Sequence, residues 1–283
     1  MRTSMIALAA GLAAAVAAVT GIAAPNLVQR NTAQSNAVPV DVELVLAVDI
    51  SYSMDPEEQA LQREGYIAAI TSNDFMQALK QGMHGKVAVT YFEWAGQSEQ
   101  RIVVPWRIVE GPESADAFAS EIARAPMRRA ARTSISGALL FGAYLFDGSG
   151  YRGLRRVIDV SGDGTNNNGP LVALTRDDVL AKGITINGLP IMLNRPNFGG
   201  VDLAELDIYY EDCVIGGPGS FVIAIKEREK FKEAIRTKLI LEVAGRTPEP
   251  RVIPATADAP RVSCTIGERM WQDRWGGGGI DFK

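Results

Sequence analysis

The stretch Val42–Ser53, V-E-L-V-L-A-V-D-I-S-Y-S, decides the fold. Val42, Leu44, Val45, Leu46, Ala47 and Val48 form an almost unbroken apolar run. A half-exposed strand alternates, whereas an unbroken run suits a strand covered on both faces, as in a parallel sheet between helices. Asp49 stands where that strand should end, and Ser51 and Ser53 follow at steps of two. Open α/β sheets bind ligands at the carboxyl ends of their strands. A carboxylate and two hydroxyls are oxygen donors, which suit a hard cation: Mg2+ first, with Mn2+ or Ca2+ as alternatives. One acid leaves most of the ion's charge unquenched, so a partner carboxylate can complete its coordination. On this stretch alone a second reading stays open, in which Asp49 and the serines cap the next helix.

Two later segments weigh against that second reading. Arg132-Thr133-Ser134-Ile135-Ser136-Gly137-Ala138-Leu139 places a Thr at the start of an amphipathic, helix-like segment. Val157-Ile158-Asp159-Val160-Ser161-Gly162-Asp163-Gly164 is a second buried strand, ending in Asp-Gly. Together the three segments resemble the von Willebrand factor A fold and its metal-ion-dependent adhesion site. That family's pattern is D-x-S-x-S, a Thr on a second loop and an Asp before Gly on a third. The pattern maps onto Asp49, Ser51, Ser53, Thr133 and Asp163, with Ala138 and Leu139 at the family's spacing after the Thr. The resemblance implies that these five residues hold the metal. It also implies a doubly wound, mostly parallel α/β sheet with one antiparallel edge strand and helices on both faces.

A closer resemblance covers most of the chain. A-V-D-I-S-Y-S-M-D (47–55), I-D-V-S-G-D-G-T-N-N-N-G (158–169) and C-V-I-G-G-P-G-S-F-V (213–222) are similar to the bacterial family named domain of unknown function 1194. This resemblance implies a secreted or periplasmic protein with one von Willebrand A-like domain, and supplies no ligand.

The remaining elements fit that frame. Asp55 and Pro56 open a helix running to about Ser72, with Leu61, Tyr66, Ile67 and Ile70 as core contacts. Lys86–Trp94 and Gln100–Trp106 read as a hairpin, which the resemblance places at the antiparallel edge. Glu113–Ala125 reads as a helix with Ala117, Phe118 and Ile122 facing inward. Ser134–Phe146 is a helix, Arg155–Val160 a strand, Leu171–Lys182 a helix closed by Gly183, and Ile184–Ile191 a buried strand. A loop follows at Asn194–Asp202. Phe221–Ile225 reads as the last strand and Glu227–Val243 as the last helix of the domain, ended by Gly245.

Residues Met1–Ala24 carry one charge, Arg2, and an Ala-rich apolar run, the pattern of a signal peptide. An uncleaved membrane anchor is the alternative, because the run is nearly long enough to span. Residues 25–39 read as a polar leader, 40–245 as the domain and 246–283 as a tail. Thr247–Pro260 looks extended, and the four-glycine run near the end looks flexible. Trp271 and Trp275 share a helical face, for a helix packed on the domain or an exposed partner patch. Cys213 and Cys264 form an even pair, which suggests a disulfide stapling the tail back to the domain in an exported protein.

Composition and motifs exclude several functions. The formal net charge of -4 carries no suggestion of nucleic-acid binding. The single histidine, His84, precedes a strand and so falls at the edge away from Asp49, leaving a Ser-His-Asp triad there without its base. G-x-S-x-G, a phosphate-binding P-loop and Cys-x-x-Cys do not occur. Asp159, Ser161, Asp163 and Gly164 echo an EF-hand, but the required bidentate Glu falls on Pro170. Arg128, Arg129 and Arg132 lead into Thr133. They form either a basic rim for an acidic partner or a loop with only local contacts. The expected function is binding through a metal to an exposed Asp or Glu of another protein. A metal-assisted hydrolase, with Asp55 or Asp163 as base, and a structural domain with no metal role are the alternatives.

Overall fold

The computed structural model describes residues 36–193, 204–245 and 260–275. The expected signal peptide, most of the expected leader, the Asn194–Asp202 loop, nearly all of Thr247–Pro260 and the glycine run lie outside the described residues.

The first strand, β1, spans Val38–Asp49, and helix α1 (Pro56–Ile70) follows the first loop. Asp55 caps α1 in a capping box: its carboxylate accepts from Glu58 N at 2.7 Å, and Glu58 Oε2 accepts from Asp55 N at 3.0 Å. The helix ends near the expected place because Ser72 starts another. The Ser72 hydroxyl accepts from Phe75 N, which opens the unanticipated helix α2 (Asn73–Lys80). Strands β2 (Val87–Trp94) and β3 (Gln100–Val109) form the hairpin, and helix α3 (Pro112–Arg124) follows. Phe118 and Ile122 face inward from α3 as expected, but Ala117 is exposed. Ala115 and Ala119 share the inner face instead, since they lie on the same side of the turn as Phe118 and Ile122.

Helix α4 (Ile135–Leu145) leads to β4 (Tyr151–Gly162), longer than the Arg155–Val160 run suggested. Its first half alternates between exposed and half-buried residues, so it lacks the continuous apolar signal. Helix α5 (Val172–Leu180) and strand β5 (Thr185–Pro190) complete the sheet, which runs β3-β2-β1-β4-β5. Only β3 is antiparallel. The expected strand Phe221–Ile225 instead lies along β5 as two isolated bridges. Its continuation is interrupted where Phe221 N donates to the Asn187 side chain rather than to a strand carbonyl. Helix α6 (Leu206–Tyr209) runs into one π-helical turn, Tyr210–Val214. The last helix of the sheet domain begins as a 3-10 turn at Arg228–Lys230 and continues as α7 (Phe231–Ala244). Gly245 closes it in the left-handed conformation that glycine adopts without penalty, φ 63°. The tail helix is α8 (Ile266–Trp275).

Strand β1 is buried on both sides. Val42, Leu44, Leu46 and Val48 face a layer that includes Tyr66 of α1, Phe118 of α3 and Leu239 of α7. Val45 and Ala47 face Leu139 of α4 and Val179 of α5. The chain leaves β1 toward β2 on one side and returns to β4 on the other. The reversal between β1 and β4 opens a crevice at their carboxyl ends, the place where such sheets accept ligands.

Candidate metal centre

Three loops meet at that crevice. Asp49 ends β1 and is fully buried. Its Oδ1 accepts from Ser51 N at 2.7 Å, while Oδ2 is buried with no hydrogen-bond partner. Burial pushes this carboxyl up to about 7, against hydrogen bonds from Ser51 and the Asp163 backbone that pull it down. The Ser51 and Ser53 hydroxyls are 2.8 Å apart, and Ser53 Oγ donates to Asp163 Oδ1 at 2.6 Å. Four of the five expected residues therefore form one hydrogen-bonded chain, from Asp49 through Ser51 and Ser53 to Asp163.

Thr133, buried at the head of α4, is placed by a reciprocal pair of hydrogen bonds with Asn167. Thr133 N donates to Asn167 Oδ1 at 2.9 Å, and Asn167 N donates to Thr133 O at 2.8 Å. A Cβ on Gly164 would lie 3.7 Å from both Thr133 Oγ1 and Cγ2, so the Thr side chain faces the residue beside Asp163. The second loop is tied to the first through Tyr52 N to Ala130 O and Ala130 N to Ile50 O. Gly162 admits Asp49 to its position: a Cβ there would stand 2.8 Å from Asp49 Oδ2 and 3.1 Å from the buried Tyr210 hydroxyl.

The three asparagines after Asp163 are the tie points that motif reading overlooked. Asn166 Oδ1 accepts from Ser136 N and Oγ, and its Nδ2 donates to Pro170 O and Glu268 Oε1. Asn168 Oδ1 accepts from Gln97 N, and its carbonyl accepts from Ser134 Oγ. The run Asn166-Asn167-Asn168 was the available signal, since side-chain amides are what a loop uses to satisfy backbone groups.

Two of the three arginines are engaged by the protein itself. Arg129 donates to Tyr52 O and Met54 O, both at 2.7 Å, and so supports the first loop from outside. Arg132 lies 3.6 Å above the centre of the Trp271 ring. Arg128 is exposed. His84 lies at the opposite edge, where its backbone N–H donates to Asp41 Oδ1 near the start of β1.

Two carboxylates and three hydroxyls suit a hard, oxygen-preferring cation. Among the described residues no group of three or more His, Cys, Asp or Glu offers a rival site. The desolvated Asp49 carboxylate, with one oxygen lacking a partner, is the feature a cation would neutralise.

The family profile described as Protein of unknown function (DUF1194) matches residues 39–247. The chain belongs to the DUF1194 family. No curated protein sequence matches this DUF1194 chain. Many solved structures share its fold, three of which illustrate the likeness. Proximal thread matrix protein 1 from the mussel byssus, with a zinc-occupied MIDAS motif, superposes with a TM-score of 0.54 at 14% identity, over 74% of this chain and 49% of that one. The pilus adhesin SpaC from Lactobacillus rhamnosus GG gives 0.52 at 14%, over 74% and 31%. A von Willebrand factor type A protein from Catenulispora acidiphila gives 0.50 at 14%, over 72% and 43%. The DUF1194 chain thus spans about half or less of each, and at these identities the likeness is one of fold. The fold is that of a von Willebrand A-like domain. Cys213 and Cys264 are joined in a disulfide. Among the described residues no helix is long and apolar enough to cross a membrane.

Proposed function

We propose that this protein is an exported, divalent-metal-dependent binding module. Asp49, Ser51, Ser53, Thr133 and Asp163 would hold the ion, with Mg2+ the expected occupant and Mn2+ or Ca2+ its alternatives. When bound, the ion supplies an open coordination position for an Asp or Glu carboxylate of a partner protein. The observation that carries this reading is the buried Asp49 carboxylate, linked through Ser51 and Ser53 to Asp163 at the switch point of the sheet. The fold neighbours support it, since one is an adhesin and another has a zinc-occupied MIDAS motif. The exposed Arg128 is the rim guanidinium best placed to meet the acidic partner. Export follows from reading residues 1–24 as a signal peptide and 25–39 as a leader. On this reading 40–245 form the binding domain and 246–283 a tail.

The chain's own residues do the positioning. Oδ1 of Asp49 is held by Ser51 N, the two serine hydroxyls are held in line with Asp163, and Asn167 fixes Thr133. Thermal unfolding of the full chain and of Asp49→Ala, in EDTA and then in millimolar Mg2+ or Mn2+, tests the site. A ligand that binds only the folded state adds about 2.7 kcal/mol at a hundred times its Kd. A rise in the wild type that Asp49→Ala lacks is expected. No rise in either protein, with no heat of binding on direct titration, refutes the reading.

A further inference from the structure

The tail returns to the domain and stops against the metal loops. Cys264 is bonded to Cys213, and Arg261 pairs with Asp212 at 2.6 Å and Glu211 at 2.7 Å, all three partners on the π-helical turn. Val262 is buried, and Ile266 packs on the same apolar cluster as α4 and α5. Beyond Ile266 the contacts change from core to loop. A Cβ on Gly267 would lie 2.1 Å from Asn166 O and 2.4 Å from Thr165 Oγ1, so α8 rests directly on the backbone of the third loop. Glu268 Oε1 accepts from Asn166 Nδ2 at 2.8 Å. Trp271 lies under the Arg132 guanidinium. Positions 267, 268 and 271 share one helical face.

Each contact lands next to an expected ligand. Asn166 and Thr165 follow Asp163, and Arg132 immediately precedes Thr133. Arg132 is the non-glycine residue that holds a positive φ, 74°, among the described residues. An L side chain persists in that region only where its surroundings fix it. The stack on Trp271 is one such constraint, and the bond from Thr133 N to Asn167 is the next along the chain.

We infer that α8 is part of the metal centre, with Gly267, Glu268 and Trp271 as positioning residues that hold the second and third loops in register for the cation. The inference rests on the proposed metal-binding reading. It assigns the tail a role in affinity, acting through Asn166 and Arg132 without touching the ion. Groups behind the ligands commonly change metal affinity by about 10–100-fold when removed.

The test uses the full chain with its disulfide intact. Mn2+ and Mg2+ affinities are measured by calorimetric titration for wild type, Gly267→Ala, Trp271→Ala and Trp271→Phe, and urea unfolding in EDTA is measured for each. Gly267→Ala and Trp271→Ala are expected to bind Mn2+ about 10–100-fold more weakly. The Trp271→Ala midpoint in EDTA should stay near wild type, the Gly267→Ala midpoint should fall because its Cβ must displace α8 from Asn166 O, and Trp271→Phe, which keeps a ring beneath Arg132, should recover most of the affinity. Wild-type affinity in both Gly267→Ala and Trp271→Ala overturns this inference alone. A loss of affinity in Trp271→Ala matched by a loss of its stability in EDTA, with no recovery in Trp271→Phe, also overturns it by assigning α8 a structural role. Absence of metal binding by the wild type overturns both the inference and the proposed function.

Discussion

Replacing Lys238 with Met should destabilise the fold by an amount that depends on pH. Lys238 on α7 is buried with Asp159 and Glu242, and its ammonium lies 2.9 Å from Asp159 Oδ1 and 2.8 Å from Glu242 Oε1. Asn187 Nδ2 donates to Glu242 Oε2 at 2.8 Å, and the Phe221 ring lies beneath the ammonium. Burial pulls the lysine down, but the two carboxylates outweigh it and leave the ammonium above its usual range. Burial pushes Asp159 up to about 6, with Lys238 opposing and Glu242 adding. Methionine of similar length keeps the packing but strands two buried carboxylates. Breaking a buried pair from one side costs about 3–5 kcal/mol. At about 2–4 °C per kcal/mol for a domain of this size, that is a fall of roughly 6–20 °C in midpoint.

The sign of the pH dependence follows from the direction of the Asp159 shift. The folded state holds the Asp159 proton to higher pH than the unfolded chain, so the contribution of this group to stability falls as pH rises from about 4 to about 6. Removing Lys238 removes the opposing charge and raises Asp159 further, at about 1.4 kcal/mol per unit. The loss should therefore be larger at pH 7 than at pH 5, where the stranded acids take up protons. Urea unfolding of both proteins at the two pH values, in EDTA and with the disulfide intact, gives the comparison. A loss below about 1 kcal/mol at pH 7, or one no smaller at pH 5, refutes the reasoning.

Two further outcomes follow from the geometry. Gly162→Ala should abolish the Mg2+-dependent rise in unfolding temperature, because the new methyl would stand 2.8 Å from Asp49 Oδ2; overpacking should lower cation-free stability by only about 1–3 kcal/mol. Replacing Cys213 and Cys264 together with Ser should lower stability by about 4 kcal/mol for a loop of 51 residues, and a urea-unfolding loss under about 1 kcal/mol would show that the loop entropy lies elsewhere.

Elements with a one-dimensional signature were legible in the sequence. β1 announced itself because both faces are covered, and β4 was legible from Arg155, just before the same condition sets in at Val157, while its half-exposed start from Tyr151 was not. Asp55, with Pro56 and Glu58, marked the start of α1 because a cap is satisfied within four residues. The end of α1 near Ser72 was legible, but the helix that Ser72 opens was missed, because its 8 residues give little more than two turns of periodicity. Phe221–Ile225 has strand composition, yet it makes isolated bridges, to Gly188 of β5 and to Ile191 just past it, and the Phe221 N–H goes to the Asn187 side chain.

Among the site residues, order and spacing supplied the residue types and the three loops that bear them. Local chemistry makes Asp49, Ser51 and Ser53 neighbours whatever the rest of the chain does. That Ser53 reaches Asp163, 110 residues away, is a property of the sheet order, since β4 must lie beside β1 for the two loops to meet. The arginines were ambiguous in sequence because a guanidinium suits a partner's carboxylate as well as a loop carbonyl. Packing directed Arg129 to Tyr52 and Met54 and laid Arg132 on Trp271. The sequence by itself determined the buried parallel strand, the oxygen-donor set and the pairing potential of two cysteines, because these depend on residue type and short-range period. Only the tertiary structure decided that the tail helix rests on the metal loops, because that contact is made by a glycine's missing side chain against a backbone 101 residues away, which no local pattern encodes.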